Sequence, residues 1–227
     1  MRGTRLPGLG VLVLLAAAPA FAGPEDLAAR CEAVPWVLPE PVGGVILDPV
    51  PEGLKAIRGD LRKRGPSSMD AIERSLDRSL HLRRIASDVV STWPCDRSRA
   101  LLLRLLKDRD EATAASGAFG LGIVGGAEVI EGLVAALADP RARVRHDALN
   151  SLGSVGGANR GLEGAIVCLG AEESWVRHSA ASLLSLADFG VEKAIPALEK
   201  LAAAERDADA KAAAGRSLRI SRARLGR

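Results

Sequence analysis

The 227-residue chain lacks the short motifs around which catalytic centres are usually built. It has no Gly-rich phosphate loop following a strand, no GxSxG turn to hold up a nucleophilic serine, no HExxH pair and no carboxylates paired at a recognisable spacing. These absences argue against the common hydrolase, metalloprotease and nucleotide-handling classes. Its three cysteines, Cys31, Cys95 and Cys168, form no CxxC pair, and no Cys and His stand at zinc-like spacing. No cofactor or metal is implied.

Long apolar runs are also missing. The longest, VLVLLAAAPAFA at 11–22, is short of the roughly 20 residues a membrane span needs. It follows Arg2 and Arg5 and ends in Ala20-Phe21-Ala22, the order of a secretory signal cleaved after Ala22. The expectation is an exported protein, periplasmic or secreted, with no stable membrane insertion after cleavage. No strong charge of one sign remains either. The chain has 31 basic and 28 acidic side chains, and removing Arg2 and Arg5 with the signal leaves 29 against 28, a net of +1. That balance does not suggest a nucleic-acid partner, which would require a concentrated basic face. The one dense cluster is terminal: Arg216, Arg219, Arg222, Arg224 and Arg227. It reads as a solvated last helix whose cations suit a helix C-terminus, or alternatively as a site for an anionic polymer or membrane surface.

What the chain does have is repetition. LGIVGGA at 121–127 returns as LGSVGGA at 152–158, a step of 31 residues, and VRHDA at 144–148 returns as VRHSA at 176–180, a step of 32. Steps of this length in a helix-rich chain mark a solenoid, in which each unit buries its apolar face against its neighbours. The pattern predicts helix pairs at 98–107 with 111–123, 127–138 with 141–154, 160–169 with 173–187, and 191–204 with 208–219. Gly125-Gly126 and Gly156-Gly157 separate units and supply the positive φ that helix ends favour. Pro140 stands near a first helical position, where its missing donor costs little.

Ahead of the repeats, 23–66 reads as an irregular arm rich in proline: Pro35, Pro39, Pro41, Pro49 and Pro51. Its apolar content suggests that it packs on the first repeat as a cap, with a short helix at 53–63 carrying Leu54, Ile57 and Leu61 on one side. A long capping helix is expected over 67–97, N-capped by Ser67 with Asp70 three residues on, and closed at Trp93-Pro94. An odd cysteine count leaves one over. Cys168 lies in an apolar run and reads as core, so Cys31 with Cys95 is the candidate disulfide, and the spacing leaves its formation open.

The middle units resemble a HEAT-type repeat, in the bacterial variety described as HEAT-like or lyase-type HEAT. The pattern of an acid, Val-Arg, Ala and Leu appears as Asp139, Val144-Arg145, Ala148 and Leu152, then as Glu172 and Glu173, Val176-Arg177, Ala180 and Leu184. Flanking units match more weakly, with Thr113-Ala114 or Ala210-Lys211 in place of Val-Arg, so the likeness covers roughly 98–219. The fold class is therefore all-α: an α-solenoid of HEAT-like helical hairpins with an irregular Pro-rich N-terminal arm.

A helical wheel places Val144, Ala148, Leu152 and Val155 on one face. Arg145 and Arg177 sit at the edge of that stripe, with stems buried and heads able to reach an acid such as Asp139 or one in the next unit, as structural ladder residues. Opposite the stripe lie Arg143, His146 and Asn150, and one unit on, Trp175, His178 and Ser182. The resemblance implies that second helices line the concave surface, so these six share a groove. Trp and Arg are enriched at binding hot spots. Two readings are open for Trp175: a partner anchor, or packing over its own helix start. His146 and His178 are two equivalent histidines, explained by duplication as well as by a metal site.

The chain thus reads as a non-enzymatic, exported scaffold that binds a protein partner through its concave face. The alternatives are an enzyme accessory or cofactor-handling protein of the lyase type, since some HEAT-like relatives attach or detach bilins, and the anionic-surface binder.

Overall fold

A computed structural model describes residues 24–36 and 50–226. Residues 1–22, read from sequence as an export signal, and residues 37–49 of the Pro-rich stretch lie outside these. Among the described residues the regular elements are helical. In chain order they are α1 (Pro24–Glu32), α2 (Glu52–Arg64), α3 (Met69–Ser75), α4 (Leu80–Val90), α5 (Asp96–Leu106), α6 (Glu111–Val124), α7 (Ile130–Ala136), α8 (Ala142–Ser154), α9 (Ala158–Cys168), α10 (Ser174–Leu184), α11 (Ile195–Ala204) and α12 (Ala208–Arg224).

Four hairpins pair α5 with α6, α7 with α8, α9 with α10 and α11 with α12. The second helices α4, α6, α8, α10 and α12 also pack one on the next, forming a continuous layer with the first helices behind it. The stripe read from the wheel is the core of this layer: Val144, Ala148, Leu152, Val176, Ala180 and Leu184 are all buried. Small residues set the spacing. A Cβ at Gly117 would lie 2.6 Å from the backbone nitrogen of Leu106, so α5 and α6 meet backbone to side-chain-free backbone. Positive φ at Gly125, Gly126 and Gly156 turns the chain between units. Gly157 departs from expectation with φ −86°.

The N-terminal region differs from its sequence reading in three ways. First, the arm contains a helix, α1, which packs on α3 and α4 and buries Leu27 and Cys31. The segment 53–63 is helical as read, within α2, with Leu54, Ile57 and Leu61 buried. Second, the long capping helix over 67–97 is broken. A 3-10 turn at Leu76–Arg78 leads to Ser79, whose extended backbone (φ −140°, ψ 117°) ends one helix and caps the next. The Ser79 hydroxyl accepts the Leu82 N–H at 3.0 Å and donates to Glu32 Oε1 at 2.8 Å. A serine hydroxyl competes with the helix for backbone donors, and here a carboxylate from α1 holds it in place. Ser67, read as the N-cap, instead donates to the Arg64 carbonyl at 2.8 Å, within a 3-10 turn at Gly65–Ser68.

Third, the Cys31–Cys95 bridge is not formed, and all three cysteines are free. Cys31 is buried under α3 and α4, which pushes its thiol up to about 12. Cys95 is exposed at the N-cap of α5, with its sulfur 3.3 Å from the Ser98 hydroxyl.

The arginine ladder is present, and its heads reach carboxylates of the next unit rather than that of Asp139. Arg145 donates to the carbonyls of Asp139 (2.9 Å) and Pro140 (2.8 Å) and reaches Glu173 of the next unit at 3.2 Å. Arg177 repeats this one unit on, donating to the Ala171 (2.9 Å) and Glu172 (2.6 Å) carbonyls and gripping both oxygens of Glu205. The Asp139 carboxylate pairs with Arg141 instead, at 2.7 Å. An earlier rung joins Arg83 to Asp108 at 2.8 Å. The rung between is missing because Ala114 stands in that register, and Arg141 fills the gap by donating to the Asp108 carbonyl at 2.8 Å.

Candidate partner-binding face

Each second helix presents its non-core side to solvent, and the repeat step aligns these sides in rows. One row is Phe119, Asn150, Ser182 and Arg216; the next is Ile123, Ser154, Leu186 and Ile220. Asn150, Ser154, Ser179, Ser182, Ser185 and Leu186 line a cleft of 390 Å³ between α8 and α10. The structure therefore brings Asn150 and Ser182 into one cavity.

Beside this cleft, His146 of α8 contacts α10. Its ring meets Trp175 edge-on, centroids 4.9 Å apart, and its Nδ1 lies 3.0 Å from the Ser179 hydroxyl. Nε2 lies 3.1 Å from the Asn150 amide nitrogen. Burial favours the neutral imidazole and lowers its pKa. His146 therefore bonds across the α8–α10 seam. Trp175 packs on His146 of the neighbouring α8 rather than over its own helix start, and stays 41% exposed. His178 is half-buried and Arg143 exposed. Among the described residues no three His, Cys, Asp or Glu side chains cluster in a way that could hold a metal ion.

Sequence reasoning missed the apolar side chains of this face. Seven large apolar residues are exposed among those described: Phe119, Ile123, Val167, Trp175, Leu186, Phe189 and Ile220. Four of them stand on the second helices, and Leu186 follows just after the end of α10. Single exposed apolar residues need no explanation, but five on one layer, three of them (Ile123, Leu186 and Ile220) in one row, do. The signal was available, since one step of 31 back from Asn150 and Ser154 gives Phe119 and Ile123.

The terminal arginines are partly committed. Arg222 pairs with Glu199 at 2.6 Å. Arg224 donates to the Ser185 carbonyl at 3.0 Å and also to that of Ala187. Arg216 and Arg219 are exposed. A larger hollow of 530 Å³ opens elsewhere, lined by Ile166 and Val167, by Ala197 and Leu201, and by Arg177 and Glu205. Those two charged groups are joined to each other as a ladder rung. We place the candidate site at the smaller cleft, because it lies within the second-helix layer beside the exposed apolar side chains.

Fold and face together define an α-solenoid repeat scaffold. A family model described as HEAT repeats matches residues 130–219, from α7 into α12. Two engineered proteins of known crystal structure share the fold. One is 18% identical, with 88% of this chain and 97% of its own covered and a TM-score of 0.53. The other is 17% identical, with 87% and 99% covered and a TM-score of 0.53. No curated protein is similar enough to count as a match.

Proposed function

We propose that this chain is an exported, non-catalytic scaffold that binds a protein partner on its second-helix face, the concave one in HEAT-type folds. The observation that carries the reading is the exposure of Phe119, Ile123, Trp175, Leu186 and Ile220 on one layer, with Leu186 lining a 390 Å³ cleft. Aromatic and aliphatic anchors beside a cleft are the usual core of a binding hot spot. The anionic-surface alternative is weakened by the internal bonds of Arg222 and Arg224. Among the described residues no helix is long and apolar enough to cross a membrane.

The test is affinity capture from the native host with the wild-type chain and with Phe119→Ser combined with Leu186→Ser. Both side chains are exposed, so the variant keeps its helical content and melting temperature while losing the captured protein. Equal capture by both chains overturns the reading. Export is tested separately: N-terminal sequencing of extracytoplasmic material should find Gly23, and an intact Met1 on cytoplasmic protein would refute it.

A further inference from the structure

The rows of the second-helix face carry a charge bias as well as apolar anchors. Across α6, α8, α10 and α12 they run Ala112, Arg143, Trp175 and Asp209; Ala115, His146, His178 and Ala212; and then the two rows given above. Arg143 and Arg216 are exposed cations within these rows, and Arg219 flanks Arg216 on the open side of α12. Neither hydrogen bonds nor ion pairs engage these three among the described residues. Asp209 is the exposed carboxylate in the rows, at the start of α12, while Asp147 beside Arg143 is half-buried. The face is thus apolar and cationic, and its complement is apolar and anionic.

The spacing of the anchors limits what shape can reach them. Phe119 and Ile123 on α6 are separated from Leu186, just past the end of α10, by the polar strip of Asn150 and Ser154 on α8. Neighbouring helices stand about 10 Å apart, so the two apolar positions are roughly 20 Å apart, and an extended chain at about 3.3 Å per residue covers that in about six residues. Of the cleft serines, Ser154, Ser179 and Ser185 bond internally to the Asn150 carbonyl, His146 and the Ser182 carbonyl, which leaves the Ser182 hydroxyl to meet a peptide backbone crossing the strip.

Resting on the reading of this face as the binding surface, we propose that it recognises an extended acidic peptide segment of its partner, with two apolar side chains about six residues apart. One apolar side chain docks at Phe119 and Ile123, the other at Leu186 and Ile220, and carboxylates meet Arg143 and Arg216.

The full chain is panned against a phage-displayed library of random 14-residue peptides, with Arg143→Glu combined with Arg216→Glu as the counter-target. Enriched clones are expected to carry an acidic excess and two apolar residues five to seven apart. They should bind the double variant at least tenfold more weakly, because attraction becomes repulsion at both positions. Both arginines are exposed, so an unchanged melting curve certifies that the variant is folded. Basic or neutral clones, clones without the spacing, clones indifferent to the double variant, or no enrichment at all each overturn the proposal. If host capture still yields a protein lost on Phe119→Ser with Leu186→Ser, the scaffold reading stands and only the peptide class fails.

Discussion

At the scale of single residues, two carboxyls show how burial and pairing pull in opposite directions. Glu205 is buried, and the Arg177 guanidinium holds it down to about 2, helped by the N–H groups of Asp207 and Arg206. Its folded pKa lies below its unfolded one, so its contribution is full above about pH 4.5 and is lost as pH falls towards 2. Arg177→Met leaves that carboxylate buried without its partner, which costs roughly 2–4 kcal/mol. That corresponds to a melting temperature lower by about 5–15 °C at pH 7. Adding Glu205→Leu should recover most of the loss, since two apolar groups replace the pair; a double variant as unstable as the single would contradict this account. Asp147 is the reverse case. Burial raises it to about 6, with Arg143 opposing only weakly. Here the folded state holds the proton more tightly, so stability falls as pH rises from about 3.8 through 6. Asp147→Asn is therefore expected to stabilise the fold at pH 7 by about 1–3 kcal/mol, seen as a higher melting temperature, and to be neutral near pH 4. Melting curves at the two pH values decide it, and a gain independent of pH would assign the effect to something other than ionisation.

At the scale of elements, the hairpins were legible because their apolar spacing, Gly breaks and internal repeat all pointed to the same boundaries. The N-terminal helices were less so. Proline dominates composition near α1 and hides a nine-residue helix, and the stop within 69–90 depends on Ser79 meeting Glu32, a contact 47 residues apart that no local pattern contains. The working face was half legible: the wheel found the polar members, while Phe119 and Ile123 were hidden in the first, weakly matching unit. Close helix packing gives a sharp test of phase. Ala148 is fully buried whereas Asn150 is exposed, so Ala148→Leu should destabilise by roughly 1–3 kcal/mol through overpacking. Asn150→Leu should stay within about 0.5 kcal/mol. Gly117→Ala belongs with the first: although alanine is the better helix former by about 1 kcal/mol, its Cβ would strike the α5 backbone. A lower melting temperature for Gly117→Ala shows that the close approach outweighs propensity, and a higher one would show that α5 and α6 can part without cost.

At the scale of the whole molecule, a solenoid is held by nearest-neighbour interfaces, so its ends are its weakest parts. The N-terminal end is covered: α1 and α2 both pack on α4, and Trp36 rests on His81 with ring centroids 5.4 Å apart. The C-terminal end has less. Helix α12 has neighbours on one side only among the described residues, and its buried Ser217 and Ser221 hydroxyls find no hydrogen-bond partner there. What fixes it are the Arg222–Glu199 pair and the bonds from Arg224 to the carbonyls of Ser185 and Ala187. Deleting the chain from Arg222 onward removes both attachments. The expected result, read by amide hydrogen exchange, is faster exchange throughout α11 and α12 with unchanged protection in α6 and α8. That locality follows because each hairpin draws its stability mainly from its own contacts and those of its neighbours. Uniform loss of protection from α5 to α12 would instead mean that the four hairpins unfold as one cooperative unit, with the terminal arginines serving the whole array.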